Sequence, residues 1–244
     1  MTRGRFVATA AGVALAALAG LLAPLPAAAQ TATKTQQQPY TEWGYQASGP
    51  TRTGMGTWLY VLPQPAARPG QLPREGYRYE LTFIFQRLRL GTIGIGTGPN
   101  GPVAQLEIQD VAAGGPKIVA EVAYDWSPGR FYFVYTQLLP NGDAAGWIMD
   151  WERAVWTYIG SVHPPVDWGK MVDASFTSAK WAGPAVAADC SGYPRSDAYF
   201  FPVLAYTGTT FEIGTFFDDR HWDGDCPAGA NILDNGWVHY QLGV

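Results

Sequence analysis

Charge is scarce in this chain: 15% of its 244 residues are Asp, Glu, Lys or Arg, and the formal net charge is -4. Nucleic acid and anionic membrane surfaces are bound through a basic surface, so neither is an expected partner. Gly 29 and Pro 19 are numerous but aperiodic, and no heptads occur, which excludes collagen and coiled coil. There are three His and two Cys. No H-E-x-x-H, C-x-x-C, G-x-S-x-G or S-x-x-K is present, so the common zinc, redox and serine-nucleophile frameworks are missing. His163, His221 and His239 each stand without a partner at motif spacing, and Ser191 has no neighbouring base. No segment after residue 29 shows a sustained 3.6-residue repeat with caps, so helix is not expected there. Nor is there a second apolar run long enough to span a bilayer.

What is present begins with an address. Arg3 and Arg5 precede an almost wholly apolar stretch, residues 6–25, and Ala27, Ala28 and Ala29 end it. This is the layout of a secretory signal peptide, residues 1–29, cleaved after Ala29. The alternative is an uncleaved anchor, but Pro24 and Pro26 break the helix and no basic stop-transfer cluster follows. Cleavage removes Arg3 and Arg5 and takes the formal charge from -4 to about -6. The expected location is extracellular, with no membrane attachment afterwards. Residues 30–40 are polar and read as a flexible leader. Cys190 and Cys226 then meet an oxidising compartment, and a disulfide is expected. On the chain-entropy model it contributes about 3–4 kcal/mol.

The rest, residues 41–244, reads as one all-β domain. Tyr77, Tyr79, Leu81, Phe83 and Phe85 alternate with Arg78, Glu80, Thr82, Ile84 and Gln86, the period-two pattern of a half-buried strand. Further strand-like runs are 56–62, 105–109, 117–124, 131–138, 146–152, 156–162, 171–180, 199–206, 210–216 and 237–242. Turn residues such as Pro140-Asn141-Gly142-Asp143 separate them. Many short strands joined by tight turns predict an antiparallel β-sandwich or barrel. Residues 131–135, Phe-Tyr-Phe-Val-Tyr, are apolar on both faces. Such a strand lies mid-sheet with both sides covered, or lines a ligand-binding face.

A resemblance narrows this. Leu90-Gly-Thr-Ile-Gly-Ile-Gly-Thr-Gly-Pro-Asn-Gly, Leu106-Glu-Ile-Gln-Asp, Tyr124-Asp-Trp-Ser-Pro-Gly-Arg-Phe-Tyr, Gly146-Trp-Ile-Met-Asp and Trp156-Thr-Tyr-Ile-Gly-Ser-Val follow one another. Together they resemble a secreted bacterial domain family of unknown function, over residues 76–165. Gly96 stands where that family usually has Gln. The resemblance implies a concanavalin-like jelly roll of the lectin and glucanase type, secretion, and an association with glycans. It brings no catalytic residues.

Three groups of residues carry candidate chemistry. Asp150 and Glu152 flank Trp151 at i and i+2, the spacing that puts two carboxylates on one strand face. Glycosidases need such a pair, though the laminarinase-type Glu-x-Asp-x-Glu is absent. Two carboxylates pointing into water explain the same residues. Asp218, Asp219, Asp223 and Asp225 crowd a segment before Cys226, and calcium is the metal that such oxygen donors suit. The spacing is not that of an EF-hand, and a solvated acidic loop explains it equally. Ten Trp, 13 Tyr and 11 Phe exceed what a core of this size demands. Trp147, Trp151, Trp156, Trp181 and Trp222 lie at strand ends or beside acids and turns, where a ring can stack on a sugar. Burial in the core is the ordinary alternative for each.

The resulting expectation is a secreted, monomeric, concanavalin-like β-sandwich that binds a polysaccharide or other glycan without catalysis. No cofactor is expected apart from calcium at the acidic segment. One alternative is a glycoside hydrolase or polysaccharide lyase using Asp150 and Glu152. Another is a structural or protein-interaction module of the cell envelope.

Overall fold

A computed structural model describes residues 33–45, 51–86, 89–111, 113–164, 168–222 and 224–243. The expected signal peptide lies outside them. None of the described helices is long and apolar enough to cross a membrane.

Strands numbered in chain order form two sheets. The seven-stranded sheet runs β14 (Thr215–Trp222), β1 (Gln38–Gly44), β10 (Met171–Trp181), β3 (Tyr77–Phe85), β4 (Arg89–Gly98), β5 (Gly101–Asp110), β6 (Ile118–Ala123). The nine-stranded sheet runs β15 (Gly229–Ile232), β16 (Val238–Leu242), β11 (Ser196–Phe200), β2 (Gly54–Val61), β7 (Phe131–Leu138), β8 (Ala144–Asp150), β9 (Val155–Val162). The short β12 (Leu204–Tyr206) also pairs with β2 and carries β13 (Phe211–Ile213) on its far side. Neighbouring strands pair antiparallel throughout, as in β3 with β4 and β7 with β8. The result is the expected all-β sandwich.

The inner faces follow the two-residue period. On β3, Tyr77, Tyr79, Leu81, Phe83 and Phe85 are all buried, and from the other sheet Met55, Leu59, Val134 and Ile148 join the same core. Each such side chain contributes about 1.5–3 kcal/mol by leaving water. The outer face of β3 is less open than alternation suggests. Glu80 and Thr82 are buried too, and Glu80 pairs with Lys180 Nζ at 2.5 Å.

Several expectations shift. The run expected at 199–206 is two strands, β11 and β12, separated by Phe201-Pro202-Val203, because proline cannot extend the ladder. Likewise 210–216 divides into β13 and β14 at Gly214. The leader is paired from residue 34 on: Lys34 bridges Ala187, Gln36 bridges Cys226, and β1 begins at Gln38. Gln36 is buried and accepts a hydrogen bond from Tyr77 Oη at 2.9 Å, which a flexible tail would not supply. The disulfide is formed, Cys190 to Cys226 with Cα atoms 5.2 Å apart. It closes a second small cluster containing Ala187 and Tyr193, with Leu72 and Trp181 packed against it.

Candidate functional site

Strand β7 lies mid-sheet between β2 and β8. Tyr132 and Val134 enter the core, while Phe131, Phe133 and Tyr135 face outward between β2 and β8. What makes room for them is glycine. A Cβ on Gly54 would lie 2.6 Å from Tyr135 Oη, and one on Gly56 would lie 2.7 Å from Phe133 Cζ. The rings of Phe133 and Tyr135 therefore rest on bare β2 backbone, nearly parallel at 14° with centroids 6.2 Å apart. Burial pushes the Tyr135 hydroxyl up to about 12, and the nearby Tyr206 adds to it.

On this bed stand more exposed rings. Trp58 meets Phe133 at 4.9 Å and Trp151 edge-on at 5.1 Å. Trp156 meets Phe133 at 6.0 Å, and Trp147 lies 6.0 Å from Tyr135 and 5.5 Å from Tyr158. Phe211 adjoins Tyr135 and Tyr206. Trp151 is 59% exposed, Phe211 55%, Tyr158 52% and Trp156 50%. These values are high for large aromatics that already touch neighbours, so one side of each ring remains open. The rings come from β2, β7, β8, the turn that follows β8, β9, β12 and β13, and form one continuous aromatic face.

Trp147, Trp151 and Trp156, three of the five candidate Trp, lie together on this face. Trp181 is not with them. It sits on the other sheet against Tyr77 at 5.1 Å and Tyr193 at 5.4 Å, and its Nε1 donates to the Ala185 carbonyl at 2.7 Å. Gly76 leaves it space, since a Cβ there would lie 2.2 Å from the indole. Trp181 is a packing ring of the disulfide cluster. The side chain of Trp222 lies outside the described residues. Trp58, Tyr158 and Phe211 carry no signal of their own in the sequence, while Phe133 and Tyr135 belong to the apolar run 131–135. The usable signal was the outward period of Phe131, Phe133 and Tyr135 facing an alternation of Gly54, Gly56, Trp58 and Tyr60.

The two carboxylates are not one strand's pair. Strand β8 ends at Asp150, and residues 151–154 form a tight turn in which Ala154 takes a φ of 51°. Asp150 is buried, accepts from the Arg153 backbone N–H at 3.1 Å, and has Arg130 Nη1 at 3.5 Å and Arg153 Nε at 3.6 Å. Glu152 accepts the Phe131 N–H on both oxygens, at 3.0 and 3.2 Å. Both carboxylates hold the turn that lifts Trp151 onto the aromatic face.

The acidic segment is largely strand rather than loop: Asp218 and Asp219 lie on β14, opposite Glu42 and Thr41. Asp225 accepts from the Thr35 N–H at 3.0 Å and Lys34 Nζ at 3.3 Å, and these bonds, Thr35 first, lower its pKa. Asp223 and the side chain of Asp219 lie outside the described residues. Among the described residues, no three His, Cys, Asp or Glu converge on a point that could hold a metal ion.

A constellation not anticipated from sequence lies beyond Phe131. Asp197 on β11 is buried on the outward side of the sheet and gathers Gln64, Arg195, His239 and Gln241. Burial raises its pKa, but the hydrogen bond and charge of Arg195, then His239 and Gln241, outweigh that, and the net shift is downward. The 42 positions between Asp197 and His239 hide the pair from any motif search.

No family model and no curated protein matches the sequence. Solved structures do match the fold. A crystal structure of scytalido-glutamic peptidase with a transition state analog inhibitor aligns at TM-score 0.54 and 8% identity, over 86% of this chain and 100% of that one. A second, with a peptide based transition state analog, aligns at TM-score 0.51 and 8% identity over the same shares. At that identity the likeness is one of fold, and the chain shares a concanavalin-like two-sheet sandwich with them.

Proposed function

We propose that this protein binds a neutral polysaccharide outside the cell, on the aromatic face of its nine-stranded sheet. The observation that carries this reading is the set of half-exposed rings, Trp151, Trp156, Tyr158 and Phe211, held in place by Trp58, Phe133 and Tyr135 beneath and between them. An indole or phenol ring stacks on the C–H face of a sugar, and rings fixed by their neighbours lose little entropy on binding. Amides and hydroxyls at the edge, such as Gln64, Gln241 and Tyr199, are suited to read hydroxyl groups. The acidic net charge of -4 favours a neutral over an anionic glycan. The disulfide supports an oxidising location.

The test is intrinsic tryptophan fluorescence titrated with neutral plant, fungal and bacterial polysaccharides. At least one should shift or quench the emission saturably. Replacing Trp156 by Ala should then weaken binding about three- to tenfold, from loss of one stacking ring. If no polysaccharide changes the emission, the face serves a protein contact or structure and the reading fails.

A further inference from the structure

The Asp197 cluster is built more elaborately than packing requires. Asp197 is 1% exposed. Its Oδ2 accepts from Gln64 Nε2 at 2.6 Å and Arg195 Nε at 2.8 Å. Its Oδ1 accepts from His239 Nε2 at 3.0 Å, Arg195 Nη2 at 3.3 Å and Gln241 Nε2 at 3.4 Å. A carboxylate offers about four lone-pair sites, so Gln64, Arg195 and Gln241 already fill it and His239 is supernumerary. Yet His239 is held a second way. Its ring lies flat on Tyr199, centroids 4.4 Å apart and planes 16° from parallel.

An ionised carboxylate only accepts, so Nε2 must carry the imidazole proton and Nδ1 the lone pair. The His239 side chain is 17% exposed, and Nδ1 bonds to no other described residue. The imidazole and the Arg195 guanidinium share Oδ1 and so lie side by side.

The location is a seam. On one side Tyr60 and Tyr199 are register partners, Tyr60 packs on Phe131 at 4.5 Å, and Phe131 leads into the aromatic face. On the other side Gln64 and Arg195 line a groove of about 1050 Å³, walled by residues around 64–74 and 186–193.

We propose that His239, oriented by Asp197, is a general base that activates water at this seam, and that its substrate class is an acyl ester on the neutral polysaccharide held by the aromatic face. The substrate class rests on the binding reading above; the proton transfer does not. In the step, Nδ1 takes a proton from water as the water oxygen bonds to the ester carbonyl carbon. The carbon–oxygen bond to the sugar then breaks, and the sugar oxygen takes the proton back from the imidazolium. Ester and water give carboxylic acid and alcohol, with nothing else consumed. Arg195 stands beside the imidazole as a donor for the developing oxyanion. Because Asp197 cancels Arg195, the cluster does not attract polyanions, which favours a neutral ester over a uronate.

The experiment measures hydrolysis of p-nitrophenyl acetate, then acetate release from acetylated xylan, by the full chain. Wild type should exceed the buffer rate on both, and His239→Gln should lower kcat about a hundredfold or more. His163→Gln, whose histidine pairs with Asp143 instead, should keep the wild-type rate. Asp197→Asn should lower kcat with KM within about twofold, because the imidazole loses the partner that orients it. Nitrogen-resolved NMR of His239 should show the tautomer protonated at Nε2, a readout independent of turnover.

Wild-type hydrolysis at the buffer rate, an unchanged rate in His239→Gln, or a proton on Nδ1 would each overturn the base assignment. His239-dependent cleavage of p-nitrophenyl acetate without acetate release from xylan would overturn the substrate class alone. The same cleavage in a protein that binds no polysaccharide would sink the aromatic-face reading and leave the base in place.

Discussion

Gly54 and Gly56 leave β2 bare on its outer side, and Tyr135 and Phe133 occupy that space. A methyl on Gly56 would meet the Phe133 ring at 2.7 Å and the Val134 carbonyl oxygen at 2.8 Å. The ring can swing away, but the carbonyl belongs to the ladder. Gly56→Ala should therefore destabilise the fold by about 1–3 kcal/mol in urea unfolding and also weaken any ligand of the aromatic face. At Asp197 the sign of the pH effect follows from its lowered pKa. Its contribution to stability is full above the unfolded carboxylate value of about 4 and is lost as pH falls through the lower folded value. Acid unfolding below about pH 4 should thus be shallower in a folded Asp197→Asn variant than in wild type. At this scale sequence reading succeeded unevenly. Trp147, Trp151 and Trp156 stood out because indoles beside acids and turns are conspicuous. Trp58 and His239 did not, because their partners, Phe133 and Asp197, come from distant strands.

Strand β4 shows why some elements escape sequence reading. Its sequence, Arg-Leu-Gly-Thr-Ile-Gly-Ile-Gly-Thr-Gly, has low strand propensity. It nevertheless pairs along its length with both β3 and β5. Its glycines are demanded by contacts: a Cβ on Gly91 would lie 2.1 Å from the Phe83 ring, and one on Gly96 would lie 2.4 Å from Arg78 Cγ. Alternating β3, by contrast, is legible almost to the residue, the period-two pattern over 77–86 against a strand at Tyr77–Phe85, because one face carries only large apolar side chains. Strand β8 is displaced by two residues from the expected 146–152, running Ala144–Asp150, since a strand and a tight turn look alike across Asp150-Trp151-Glu152. The disulfide belongs to this scale, as it links the turn at Cys190 to the segment that Gln36 and Gln37 pair with. Replacing both cysteines by Ala should cost about 3–4 kcal/mol. Hydrogen exchange should then speed up first at the amides of Lys34 and Gln37, while β3 and β7 keep their protection.

As a whole, the molecule divides its aromatic residues between two tasks. Trp43, Tyr77, Tyr79, Phe83 and Phe200 fill the core between the sheets. Trp151, Trp156, Tyr158 and Phe211 remain outside on one face, with Trp147 half-buried beside them. A fold needs the first set and gains nothing from exposing the second, and the proposed binding surface rests on that contrast. Composition alone registered the excess of aromatics, but only the pairing of β2, β7, β8 and β9 gathers these rings on one face, while Phe216 and Phe217 are exposed on β14 of the other sheet. Isothermal titration of the wild type and of a Trp151→Ala/Trp156→Ala double variant, against the neutral polysaccharide that gives the largest fluorescence change, tests this most directly. Saturable binding by the wild type, weakened tenfold or more in a double variant of unchanged melting temperature, is the predicted result. Equal affinity in the two proteins would contradict it.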